Sequence, residues 1–354
     1  CALLITVGCD STREDVSPKE NRTGGVDGQS STQPGGMSAE GAPSAGNPMN
    51  QSSDTMDTFR VVFLADTHII GPQYTCCHES PGADNSSIMQ TAKRLRGARD
   101  AINDMQPQPD LVFVLGDVVH AAHHSQDANW YTENENAFTV ARDIFSGFEM
   151  PVHYVFGNHD YEINCPADRE SYPHELSHGL FKEFFDSKPY HSVEHKGWRF
   201  IATNGQLGST WRIDHENCNT ELASYGKQQL AWIAEELDKG QPTIVLSHYM
   251  RLVTADNEFP DGPEVDLFSL LDSRENVEAV LVGHTHRWID LTLLNNDVPH
   301  HVIAATRYDT DNFWTIEFSK TEGTFKILDF DKRIDVSSCA DTWRYDGVPM
   351  SLPD

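Results

Sequence analysis

Five apolar runs in this chain each end in a short cluster of metal-ligand residues. Asp66 and His68 follow Arg60–Ala65. Asp117 follows Leu111–Leu115 in Gly116-Asp117, and Asn158, His159 and Asp160 follow Val152–Phe156 in Gly157-Asn158-His159-Asp160. His248 follows Thr243–Leu246, and His284 and His286 follow Val277–Val282 in Gly283-His284-Thr285-His286. Carboxylate, amide oxygen and imidazole suit borderline cations such as Mn²⁺, Fe or Zn²⁺ rather than Cu(I). Each cluster has a plainer reading when taken alone. An Asp-x-His or a Gly-Asp after a strand is commonly a turn, Gly-His-x-His a surface loop, and Gly-Asn-His-Asp a loop with positive φ at Gly157. Five of them in order, each after an apolar run, make a coincidence of turns a poor explanation.

The elements that must position these clusters can be read coarsely. The five apolar runs are buried strands. Ile88, Ala92, Leu95, Ala98 and Ile102 recur at helical spacing until Pro107 and Pro109 stop the helix. Phe138, Ala141, Ile144 and Phe145 mark a second helix, and Leu230, Ile233 and Leu237 a third. Gly71–Asp84 is an insertion rich in turn formers. Val302–Ala305, Trp314–Phe318 and Phe325–Phe330 alternate as strands. Strand–helix alternation with extra hairpins gives a layered α/β fold with two sheets and helices outside. In such a sheet the carboxyl ends of the strands converge on one crevice, so clusters more than two hundred residues apart can meet.

The ordered set D-x-H, G-D, G-N-H-[DE], H and G-H-x-H resembles the calcineurin-like metallophosphoesterase superfamily, from about Phe59 to Phe330. The resemblance implies a two-sheet β-sandwich flanked by helices, with a dinuclear metal centre at the strand ends. Carried over, Asp66, His68, Asp117 and His286 would hold one ion. Asp117, Asn158, His248 and His284 would hold the other, with Asp117 bridging. Two ions about 3.5–4 Å apart would share a hydroxide nucleophile, and the reaction would be hydrolysis of a phosphate mono- or diester. His159 would protonate the leaving group and Asp160 would orient His159.

Departures from the subfamilies narrow this reading. Purple acid phosphatases carry a tyrosine three residues after the bridging aspartate, and here that position is His120, which reads as a group supporting a ligand, as an outer ligand, or equally as a plain solvent-lined histidine. The long substrate-reading loops of the protein phosphatases are absent, and the compact spacing is similar to the small phosphodiesterase branch. Arg251, Arg287 and Arg307 are candidate phosphate contacts. Trp130, Tyr131 and Trp211 could stack on a substrate ring, but read more simply as core.

Composition bounds the partners. With 26 Lys+Arg against 54 Asp+Glu the net charge is −28, which opposes binding to a polyanion or to an anionic membrane surface through basic patches. No Phe, Tyr or Trp precedes Phe59, and residues 10–57, rich in Gly, Ser, Pro and Asn, read as a disordered tether. Residues 1–9, Cys1 to Cys9, resemble the end of a bacterial lipoprotein signal, the plainer alternative being an ordinary secretory signal with an incidental cysteine. The resemblance implies an upstream piece before Cys1, acylation at Cys9, and export to the cell envelope or periplasm. The catalytic domain would span 58–335 and a C-terminal extension 336–354. Five cysteines then remain, with pairings among Cys76 or Cys77, Cys165 and Cys218 open. The leading expectation is thus an enzyme acting on a small phosphate ester. An exported nuclease and a non-catalytic surface binding protein on the same scaffold are the alternatives.

Overall fold

The computed structural model describes residues 57–75, 87–165, 170–255, 267–290 and 298–328. The expected signal remnant, the tether, the C-terminal extension and most of the Gly71–Asp84 insertion lie outside them.

Two sheets form a sandwich. The first, in the order β11-β10-β1-β2-β3, comprises β1 (Thr58–Leu64), β2 (Leu111–Leu115), β3 (Val152–Val155), β10 (Phe313–Ser319) and β11 (Phe325–Ile327). The second runs β4-β5-β6-β7-β9-β8, from β4 (His191–His195), β5 (Trp198–Ala202), β6 (Thr243–Leu246), β7 (Val277–Val282), β8 (Ile289–Asp290) and β9 (His300–Val302). β1, β2 and β3 are parallel, as are β5, β6, β7 and β9. All five ligand-bearing strands therefore end in parallel stretches, three in one sheet and two in the other.

The ligand strands read as unbroken apolar runs because both of their faces are covered. Along β1, Phe59, Val61 and Phe63 enter the core between the sheets, with Trp198, Phe200, Leu246, Leu281 and Trp314, whereas Val62 and Leu64 face the helical layer. Helix α1 (Thr91–Asn103) supplies Leu95, Ala98 and Ile102 to that layer, and α3 (Ala137–Phe145), after the short α2 (Ala128–Glu133), supplies Phe138, Ala141 and Ile144. Asn136 caps α3, its side chain accepting from the Phe138 and Thr139 amides, which satisfies two orphan donors of the first turn. Helices α5 (Lys227–Leu237) and α6 (Leu267–Asp272) contribute Leu230, Ile233, Leu267 and Leu271. No described helix is long and apolar enough to cross a membrane.

Several features depart from the periodicity reading, the short α2, α6 and β8 among them. Helix α4 (His174–Phe185) buries Leu176, Leu180, Phe181 and Phe184, and the β4–β5 hairpin forms an edge of the second sheet. Neither was expected. The strand expected at Val302–Ala305 lies earlier, at His300–Val302. Past Val302 the chain leaves the second sheet, and the Thr306 amide donates to the Ala65 carbonyl at the end of β1.

Candidate dinuclear metal centre

The loops after β1 and β2 are locked to one another before any side chain acts. Asp66 N donates to Gly116 O (3.1 Å), His68 N to Asp117 O (2.8 Å) and Ile69 N to Val118 O (3.0 Å). The lock has a conformational cost. Asp66, His68, Asp117, His284 and His286 have φ of 53, 46, 52, 69 and 61°, in the left-handed region that costs a non-glycine residue about 1–2 kcal/mol. Five candidate ligands thus share an unfavourable backbone state, the kind of local strain that concentrates at functional sites. Gly116 is required both by its φ of 86° and because a Cβ there would lie 2.5 Å from His248 Nδ1. Gly157, in contrast, has φ −110°, so the positive-φ loop is not why it is glycine. A Cβ there would lie 2.2 Å from Asp117 N and 2.3 Å from Asp117 Oδ1.

All seven candidate ligands converge. His68 Nε2 lies 3.0 Å from His286 Nε2, 3.4 Å from Asp117 Oδ2 and 4.0 Å from Asp66 Oδ1. Asp66, His68, Asp117 and His286 bring one ligand atom each within 4.8 Å of one another. On the other side, Asn158 Oδ1 is 3.0 Å from both His248 Nε2 and His284 Nδ1, and His248 Nε2 is 3.4 Å from Asp117 Oδ2. Asp117 Oδ2 is therefore shared between the two groups. Its Oδ1 accepts the His159 amide at 2.8 Å, which fixes the carboxylate plane. Supports behind the ligands are also in place. His248 Nδ1 meets the Leu115 carbonyl at 2.8 Å, the His284 amide donates to the Asp66 carboxylate, and the Tyr308 hydroxyl lies 3.4 Å from His286 Nδ1. Fixing a ligand's second nitrogen in this way sets its tautomer.

The electrostatics suit cations. Burial holds His68 well below the ordinary imidazole range against the pull of Asp117, and burial with the neighbouring His248 takes His284 to about 3. Both are neutral and present lone pairs. Asp117 is buried, which alone would raise it, yet His248 and His159 hold it well below the usual carboxylate range. His248 is the counterpart: its burial is outweighed by Asp117, and it rises to about 9. It yields that proton to any metal it binds. Imidazole nitrogens, an amide oxygen and carboxylate oxygens aimed at two adjoining points fit two divalent cations.

The remaining expected residues fall as follows. His159 packs its ring at 4.9 Å from that of His68, and burial lowers it below the ordinary range. Among the described residues, Asp160 makes no hydrogen bond to the His159 ring. Its Oδ1 accepts the Val119 amide and its Oδ2 the Gly157 amide, so it ties together the backbones of the two loops that carry Asp117 and His159. Arg251 pairs with Asp272 (2.7 Å). Arg307 is buried beside the centre, donating from Nε to Ser87 Oγ, and its charge is felt by His120 and His159. Tyr131 and Trp211 are buried, spending their polar atoms on Ser125 O and Leu222 O, and Trp130 is partly buried against the core. Cys165 pairs with Cys218. Tyr249 and Tyr308 were not expected. The Tyr249 ring lies 4.3 Å from that of His284, with its hydroxyl on Thr220 O, and its only sequence signal is adjacency to His248.

The model of the calcineurin-like phosphoesterase family matches residues 59–288. The chain belongs to this family, and it is a metal-dependent phosphoester hydrolase of a dimetal-dependent class. It is 24% identical over 236 residues to the manganese-dependent ADP-ribose/CDP-alcohol diphosphatase of Mus musculus, covering 54% of this chain and 67% of that one. It is 22% identical over 260 residues to a probable glycerophosphodiester phosphodiesterase, GpdQ, of Arcobacter nitrofigilis, covering 69% and 80%. Among solved structures, a dimetal phosphatase from Danio rerio superposes with a TM-score of 0.47 at 16% identity, covering 73% of this chain and 92% of that one.

Proposed function

We propose that the chain hydrolyses a phosphodiester or pyrophosphate linkage in a small substrate. One cation would be held by Asp66, His68, Asp117 and His286, and a second by Asp117, Asn158, His248 and His284. The observation that carries this is Asp117 Oδ2, 3.4 Å from the Nε2 atoms of His68 and of His248. When bound, two such ions supply water ionised near neutral pH and neutralise phosphate charge. The chain's own residues do the rest. Asp117 keeps the two ligand groups in register, and the tether of Asp160 to the Val119 and Gly157 amides holds the His159 loop against them. His159 is the general acid. Burial keeps its imidazole neutral, and an anionic phosphate beside it raises its proton affinity, so protonation accompanies substrate binding. The names of the two relatives support a diester or pyrophosphate over a monoester. The acidic composition supports a small substrate over nucleic acid.

Mn²⁺, Fe or Zn²⁺ would serve as the metal. Export to the cell envelope or periplasm, with a lipid anchor at Cys9, belongs to the same proposal and rests on the composition of residues 1–57. The test is turnover of bis-p-nitrophenyl phosphate and p-nitrophenyl phosphate with each ion. Asp117→Asn should lose metal and nearly all rate. His159→Asn should keep metal and lose about 10²–10⁴-fold in kcat. A folded, metal-loaded protein that turns over neither ester would refute the proposal.

A further inference from the structure

His120 belongs to neither set of candidate ligands, yet it is built into the centre. Its backbone is pinned by the hydrogen bond from His120 N to Ile69 O (2.9 Å), which continues the lock between the first two ligand loops. Its Nδ1 lies 3.1 Å from His68 Nδ1. Its ring lies 4.4 Å from that of His159, tilted by 34°. Tyr74 closes the outer side, ring to ring at 5.8 Å.

The nitrogen pairing decides what His120 does. His68 points Nε2 at His286 and Asp117, so a cation held there takes the Nε2 lone pair. A neutral imidazole then carries its proton on Nδ1, and that N–H donates to His120 Nδ1. His120 must therefore be the neutral tautomer with its own proton on Nε2. It faces the nitrogen of His68 that looks away from the other ligands, so it cannot share the cation that His68 holds through Nε2. We propose that His120 is a positioning residue with two separable parts: its Nδ1 fixes the tautomer and ring plane of the ligand His68, and its ring face holds the His159 imidazole in place for the leaving group.

The inference rests on the dimetal phosphoesterase reading, and two variants divide it. His120→Asn places an amide oxygen near the Nδ1 position and removes the ring. His120→Phe keeps a ring and removes the acceptor. Each is measured in the full chain, with circular dichroism as a check on folding, for Mn²⁺ affinity by chelator competition. Each is also measured for kcat and KM on a p-nitrophenyl diester, whose leaving group needs little protonation, and on an alkyl diester, whose leaving group needs much.

His120→Phe should weaken Mn²⁺ binding about 10–100-fold, the usual loss when the partner behind a ligating histidine is removed. With saturating Mn²⁺ it should keep the wild-type ratio of kcat on the two diesters. His120→Asn should bind Mn²⁺ within about threefold of wild type. It should lose kcat on the alkyl diester at least about tenfold more than on the p-nitrophenyl diester, with KM little changed. Equal, unchanged behaviour of both variants would overturn the inference. So would a third metal equivalent in the wild type that both variants lack, because His68, His120 and His159 would then be ligands of a further ion. A wild-type chain that takes up no metal and cleaves neither diester would instead overturn the reading beneath it.

Discussion

Replacing Gly157 by alanine adds one methyl group at the point where the third ligand loop crosses the second. The new Cβ would sit 2.2 Å from Asp117 N, 2.3 Å from Asp117 Oδ1 and 2.9 Å from Asp117 Cγ. Ordinary carbon contacts need about 3.5 Å or more, so the loops must part by about 1 Å. Neither loop gives easily. Asp117 Oδ1 is held by the His159 amide (2.8 Å) and the Gly157 amide by Asp160 Oδ2 (2.8 Å). Overpacking of this kind costs about 1–3 kcal/mol in stability. The larger effect is on the centre, because Asp117, Asn158 and His159 all ride on the displaced segments, and a misplacement of about 1 Å costs on the order of 10²-fold in rate. Gly157→Ala should therefore lower kcat on a p-nitrophenyl diester by about 100-fold and lower the metal content, with only a modest fall in Tm. Gly179→Ala is the internal control. Its Cβ would meet nothing within 4 Å on helix α4, so it should raise stability by about 0.5–1 kcal/mol without changing the rate. A Gly157→Ala enzyme with activity within about threefold of wild type and undiminished metal would refute the argument that these loops position the ligands.

Two further predictions concern the scaffold. Burial, reinforced by a neighbouring histidine in each case, takes His123, His178 and His191 to about 4. A lowered folded value means that the unfolded chain binds more protons between pH 6.5 and 4, so stability is present above 6.5 and is lost as the pH falls. At about 1.4 kcal/mol per pH unit this is roughly 3 kcal/mol per group. Urea midpoints measured in chelator should fall steeply between pH 7 and pH 5, and equal midpoints would contradict the assignment. Cys165 and Cys218, 53 residues apart, close a loop whose constraint is worth up to about 4 kcal/mol on chain-entropy grounds. Cys165→Ser should lower Tm by several degrees, and an unchanged Tm would show that the bond adds no stability.

The convergence of the candidate ligands was legible in sequence because the strands that carry them are buried on both faces. Continuous apolar runs such as Leu111–Leu115 stand out, and parallel strands deliver their ends to one crevice. The β4–β5 hairpin was less legible, since His191–His195 is a half-buried edge with little alternation. Helix α4 carried a usable signal in Leu176, Leu180 and Phe184, at spacings of four. The work of Asp160 and His120 could not be read from residue type. Whether a carboxylate meets a ring or a backbone amide depends on loop geometry such as the left-handed turn at Asp117, which no local pattern announces. The disulfide was open for the same reason, because it joins the loop after β3 to the insertion after β5.

The most direct test of the account is the metal content of the full chain, reconstituted with Mn²⁺, freed of excess ion and measured by mass spectrometry beside Asp117→Asn. Two ions per wild-type chain, falling to one or none in the variant, is the predicted result. One ion per wild-type chain, or two that survive loss of the Asp117 carboxylate, would contradict a centre built around that shared oxygen.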